Sequence, residues 1–130
     1  MEKAVLGARI VLGLIFFVFG LNFFFNFLPL PDLPEPAGNF MGALMATGYM
    51  FPFIKITEIV CGALLLAGVF VPLALTVLAP IVLNIFAFHL FLDPGGIGIA
   101  ILVIALEIFL AWAYRDSFAG VLNPKAKPTV

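Results

Sequence analysis

From Ala4 to Leu28 the chain is apolar almost without interruption, with Arg9 as the single charge in the run. At about 1.5 Å of rise per residue, a helix over that stretch reaches across a hydrocarbon layer roughly 30 Å thick. A charge inside such a layer is costly to desolvate, so the position of each charged residue carries information. With 65% hydrophobic residues, 10% charged residues and a mean hydropathy of +1.28, the chain has too little polar surface to coat a water-soluble globule. The sequence therefore reads as an integral membrane protein in contact with a lipid bilayer. The apolar run is too long for the core of a secretory signal and no small-residue cleavage motif follows it, so this segment is expected to stay in the mature protein. A formal net charge of -1 gives no basic patch for nucleic acid. Cys61 is the one cysteine, which excludes a dithiol or disulfide mechanism within a single chain.

Punctuation divides the chain into four spans, predicting an all-α, antiparallel four-helix membrane bundle forming one domain over residues 1–130. The first span covers 4–28 and stops at a proline-rich loop, Pro29 to Pro36, expected to be stiff and extended. Residues 40–50 are too short to cross and are broken by Gly42 and Gly48, so they are expected to form a short interfacial helix. The second span, 52–70, opens on Pro52, a good residue for a first helical turn. The third, 72–92, ends before the turn Asp93-Pro94-Gly95-Gly96. A fourth covers 97–114, and a tail follows over 115–130. Gly13 and Gly20, with the Ala63/Ala67 pair, are expected to serve close helix packing.

Basic residues set the orientation. Lys3, Arg9, Arg115, Lys125 and Lys127 belong to the side holding both termini, whereas Asp32, Glu35 and Asp93 lie in the loops of the other side. Both termini are thus expected in the cytoplasm, as for a bacterial-type inner membrane protein, with Lys55 the exception.

The intramembrane polar residues separate by depth. Toward the loop side lie Asn22 and Asn26, then Lys55, Thr57 and Glu58, then Asn84 and His89. Asn22/Asn26 and Lys55/Glu58 are spaced to share a helix face. Asn84 and His89 are about 140° apart around a helix and need a distortion to face one narrow site, for which Pro80 is available one turn from Asn84. The ligand-binding set expected from this convergence is Asn22, Asn26, Lys55, Glu58, Asn84 and His89, with Glu58 central and His89 its proton partner. The plain alternative is an i, i+3 pair, Lys55 with Glu58, neutralising itself near the interface. Toward the terminal side only Arg9 and Glu107 remain, roughly 8 Å and roughly 12 Å deep by helical rise, which predicts a structural ion pair. One histidine and one glutamate without a second histidine predict no metal site. Phenylalanines crowd the loop-side half, including Phe16, Phe19, Phe23 to Phe25, Phe86, Phe88 and Phe91. Most such rings face lipid or core, but at this depth they can also wall a flat ligand such as a quinone head group.

Three segments, RIVLGLIFFVFGLN, KITEIVCGALLLAGVFVP and PIVLNIFAFHLFLDP, resemble the DoxX-like small membrane proteins, over a stretch from Arg9 to about Tyr114. The resemblance implies a four-helix bundle with Arg9, Glu58 and His89 as the family-like polar positions. Many members carry a lysine soon after the first-helix glycine, whereas here Gly20 is followed by Leu21, Asn22 and Phe23. Related DoxD proteins are associated with thiosulfate:quinone oxidation, other DoxX-like proteins with membrane redox complexes, and distant relatives with membrane-protein assembly. The function expected is an accessory subunit of a membrane oxidoreductase that binds a quinone or other small lipophilic ligand and has no intrinsic cofactor. Two other classes stay open, an oligomeric proton-coupled transporter or channel and a scaffold or assembly factor. Partner oxidoreductase subunits or further copies of the chain are the protein contacts these readings imply.

Overall fold

The computed structural model describes residues 1–130 and is entirely helical. Its α-helices are α1 (Glu2–Phe25), α2 (Glu35–Ala46), α3 (Met50–Ala67), α4 (Val71–Phe91) and α5 (Ile97–Ala113), with single 3-10 turns at Pro94–Gly96 and Arg115–Phe118. Four segments, α1, α3, α4 and α5 with the turn before it, are long and apolar enough to cross a membrane. The protein is therefore a four-helix membrane bundle, and α2 is the short helix of its first loop.

Local chemistry explains the helix ends. α1 stops at Asn26, which takes the left-handed conformation (φ 51°) and closes the last turn through its N–H on the Asn22 carbonyl. Asparagine tolerates that conformation better than most residues, and α1 ends short of the expected Leu28. The first loop differs more. Its prolines do not hold an extended segment throughout; Pro34 caps α2 and Pro36 sits in its first turn, where a missing amide hydrogen costs nothing. The short helix consequently runs over Glu35–Ala46 and not 40–50. α3 begins at Met50, two residues before Pro52, because Thr47 Oγ1 accepts from the free amides of Tyr49 and Met50. Between α3 and α4 the chain reverses within Gly68 and Phe70, both at positive φ, and Pro72 opens the next helix.

Successive spans run antiparallel, so both termini lie on one side of the bundle, the terminal side, and the first loop and the Asp93–Gly96 turn lie on the other, the loop side. α1 packs most extensively on α3, α3 on α4, α4 on α5, and α5 closes back on α1. The α1–α3 seam depends on glycine. A Cβ at Gly62 would lie 2.7 Å from the Phe17 backbone nitrogen and 2.8 Å from the Gly13 carbonyl oxygen. One at Gly20 would lie 2.6 Å from Ile59. Gly13 and Gly20 thus sit where close approach is expected, Gly13 against Gly62 of α3 and Gly20 against Ile59 and the Lys55 carbonyl. Ala63 and Ala67 do not form the contact, since Ala63 is only half-buried and Ala67 exposed. Leu12, Phe16, Leu65, Leu75, Leu78, Val82 and Leu110 fill the core between the helices. Phe25, Phe53, Leu83, Phe91 and Ile108 point outward, where lipid satisfies apolar surface that water would not.

Candidate functional site in the loop-side half of the bundle

All four spans contribute to a cavity of 620 Å³ in the loop-side half of the bundle. Ile15 and Phe16 of α1 and Val103 of α5 form its floor; Leu30, Pro31 and Leu33 of the first loop, with Phe40, Met41 and Leu44 of α2, cover its mouth. The cover exists because Asn22 holds the loop down. Its Oδ1 accepts from Leu28 N–H at 2.7 Å and its Nδ2 donates to the Leu28 carbonyl at 3.3 Å. The wall is mostly apolar and aromatic, with Phe16, Phe19, Phe40, Phe51 and Phe88 all lining it. Phe40 of α2 meets Phe88 of α4 at a ring separation of 5.8 Å, so the two rings bridge cover and wall.

Polar groups enter this apolar wall at five places: Lys55, Glu58, Asn84, His89 and Asp93. Glu58 is 5% exposed, and its Oε1 accepts from Lys55 Nζ at 3.2 Å, the only ion pair in the protein. The i, i+3 spacing of α3 brings the two heads together, and the other carboxylate oxygen has no protein partner. His89 donates from Nδ1 to the Ile85 carbonyl at 2.8 Å. A carbonyl oxygen carries no hydrogen, so the ring proton must reside on Nδ1. Nε2 then faces the Asp93–Gly96 turn, packed against Gly96 so closely that a Cβ there would lie 3.0 Å from it. The same Cβ would lie 3.2 Å from Asp93 Oδ2, yet His89 and Asp93 are too far apart to form an ion pair. Glycine at position 96 is what lets the imidazole and the carboxylate share this corner.

Four of the six expected ligand residues, Lys55, Glu58, Asn84 and His89, line one cavity. Asn84 and His89 do so although they lie far apart around α4, because the cavity is wide enough to wrap a broad arc of that helix. Asn22 and Asn26 do not line it: Asn22 is occupied with Leu28, and Asn26 is the exposed cap of α1. The Asn22 amide went to the backbone of Leu28 because a helix end in an apolar phase needs partners for its freed groups, whereas Asn26 contributes only its backbone N–H, to the Asn22 carbonyl. The expected ion pair between Arg9 and Glu107 is also absent. Arg9 lays its guanidinium over Gly68 at the C-terminal end of α3, while Glu107 is buried on α5. Arg9 Nε and Glu107 Oε1 are both buried without a hydrogen-bond partner. α1 and α5 are neighbours in the bundle, but the Arg9 side chain turns onto the end of α3 at Gly68 and so does not meet Glu107. Cavity residues that sequence reasoning missed are Asp93, read only as part of a turn, and the rings of Phe40 and Phe51. The one available signal was the position of all three beside loop-side segments already expected to cluster.

No curated protein and no solved structure gives a significant match to this chain. The sequence model of one family, DoxX, matches residues 4–91. That stretch runs from the first turn of α1 to the last residue of α4 and holds Arg9, Lys55, Glu58, Asn84 and His89, so on these grounds the chain belongs to the DoxX family.

Proposed function

We propose that this protein binds one small lipophilic molecule with a flat polar head, of quinone type, in its loop-side cavity, and does so as an accessory subunit of a membrane redox assembly. The observation that carries the reading is the combination within one cavity of five phenylalanine rings with a buried carboxylate, an ammonium and an imidazole. A volume of 620 Å³ matches a site for a head group and the first part of an apolar tail. The apolar wall supplies most of the binding free energy, at about 25 cal/mol per Å² of apolar surface covered. Lys55, Glu58, Asn84 and His89 select the head group and orient it. The excess of lysine and arginine on the terminal side supports an arrangement with both termini in the cytoplasm of a bacterial-type inner membrane, and hence a cavity in the outer half of the bilayer.

Native mass spectrometry of the protein released from mild detergent tests this directly. The expected spectrum contains a one-to-one adduct with a lipophile from the membrane, or with added duroquinone. Glu58→Gln combined with His89→Ala should reduce that adduct at least tenfold while leaving the helical circular dichroism unchanged. Wild-type protein that is folded, yet carries no adduct and takes up no added quinone, would remove the proposal.

A further inference from the structure

We infer that the cavity is built for the hydroxyl-bearing, reduced form of its ligand, a hydroquinone or similar phenol, in preference to the quinone. This rests on the binding reading above and deepens it by assigning the head-group chemistry.

The argument is a count of hydrogen-bonding partners. Because Nδ1 of His89 is committed as a donor to Ile85 O, Nε2 of the neutral ring can only accept. Glu58 has one oxygen taken by Lys55 and one free, and the carboxylate of Asp93 makes no hydrogen bond to the protein. Four acceptor atoms on three cavity-lining residues, Nε2 of His89, one oxygen of Glu58 and both oxygens of Asp93, are therefore without protein donors. Opposed to them are the remaining hydrogens of Lys55 Nζ and the amide of Asn84, which both donates and accepts.

A quinone carbonyl has no hydrogen to give. It can take a hydrogen bond from Lys55 or Asn84, but its arrival strips water from Nε2 and the carboxylate oxygens and leaves them bare, at the usual cost of unpaired buried polar groups. A hydroxyl both gives and accepts, so it answers His89 or a carboxylate with its hydrogen and Lys55 or Asn84 with its oxygen. Nε2 of His89 and Oδ2 of Asp93 converge beside Gly96 without forming an ion pair, so this end of the cavity offers acceptors and no protein donor, and a ligand hydroxyl brings the hydrogen that one of them needs. Sites built to meet a ligand hydroxyl discriminate strongly against analogues that lack it.

Three related probes isolate the hydrogen: duroquinone, duroquinol and the dimethyl ether of duroquinol, compared by equilibrium binding to wild-type protein in nanodiscs under anaerobic conditions. Duroquinol should bind at least tenfold more tightly than either of the others. Equal or tighter binding of duroquinone, or an ether that matches duroquinol, would overturn the inference while leaving the cavity a binding site. Failure of all three to bind a folded protein would instead remove the binding reading itself, and this inference with it. His89→Phe keeps the ring and deletes the acceptor. The preference for duroquinol over its ether should fall to below threefold in that variant. An undiminished preference in a variant that still melts cooperatively would show that His89 is not the acceptor.

Discussion

Glu107 is a carboxyl group held on α5 inside the bundle with one oxygen buried and unpartnered, and Arg9 has a buried, unpartnered Nε at the end of α3. An unsatisfied buried polar atom costs on the order of 1–3 kcal/mol, so each of these residues reduces stability where it sits. Glu107→Met should therefore raise the thermal midpoint, by an amount equivalent to about 1–2 kcal/mol, because an apolar side chain of similar length needs no partner. Since Arg9 and Glu107 do not touch, Arg9→Met and Glu107→Met should combine additively to within about 0.5 kcal/mol in detergent melts. A large coupling energy would mean that the two charges do meet. Asn22 presents the opposite case, a buried amide with both ends satisfied by Leu28. Asn22→Leu fills the same volume but releases the loop. It should loosen residues 27–34, measured as faster amide exchange there, with little effect on α4 and α5.

Among the helices, the α1–α3 pair combines backbone contact at Gly13 and Gly62 with side chains of α3, Ile59, Leu65 and Leu66, packed onto the glycines of α1. Gly62 is the controlling residue, because any side chain at that position runs into the backbone of α1 at Gly13 and Phe17, and neither backbone can yield. Gly62→Ala should separate the two helices and lower stability by about 1–3 kcal/mol, the usual range for overpacking. Gly38→Ala, at a helix position with open space around it, should leave the melt unchanged or raise it slightly. A Gly62→Ala variant that melts like wild type would show that the seam is looser than described. The α3–α4 reversal is equally specific: Gly68 has a positive φ of 75° and the Arg9 guanidinium lies where its Cβ would be, so both backbone strain and collision act against substitution there.

Across the whole molecule, the strongest packing runs along α1 and α3, and the weakest attachment is the cover of the cavity, α2 and the loop before it. Local opening free energies follow such differences in burial. Hydrogen exchange in nanodiscs should therefore be slowest along the α1–α3 seam and fastest in residues 27–47, and an occupied cavity should slow the second region alone. Uniform exchange across all helices would contradict this hierarchy. The same asymmetry separates what could be read from the residues and what could not. The four spans followed from hydropathy, because desolvation in a bilayer overrides finer preferences, whereas the end of α1 and the bounds of the short loop helix did not. Grouping Lys55, Glu58, Asn84 and His89 followed from depth as well. Assigning Asn22, Asn26, Arg9 and Glu107 did not, because depth is one coordinate and contact requires a second, the angle around the bundle. That angle is decided by which helix packs on which, and here Gly13, Gly20 and Gly62 decide it by allowing α1 and α3 to touch.

By itself, then, the order of residues determined that the chain forms four membrane-spanning helices, since this depends only on local transfer free energies along one dimension. The neighbours of each charge were settled by tertiary structure: Arg9 goes to Gly68 and Asn22 to its own loop, while Asp93 joins His89 beside Gly96. Lateral packing of helices is a cooperative outcome of many weak contacts that no single segment encodes.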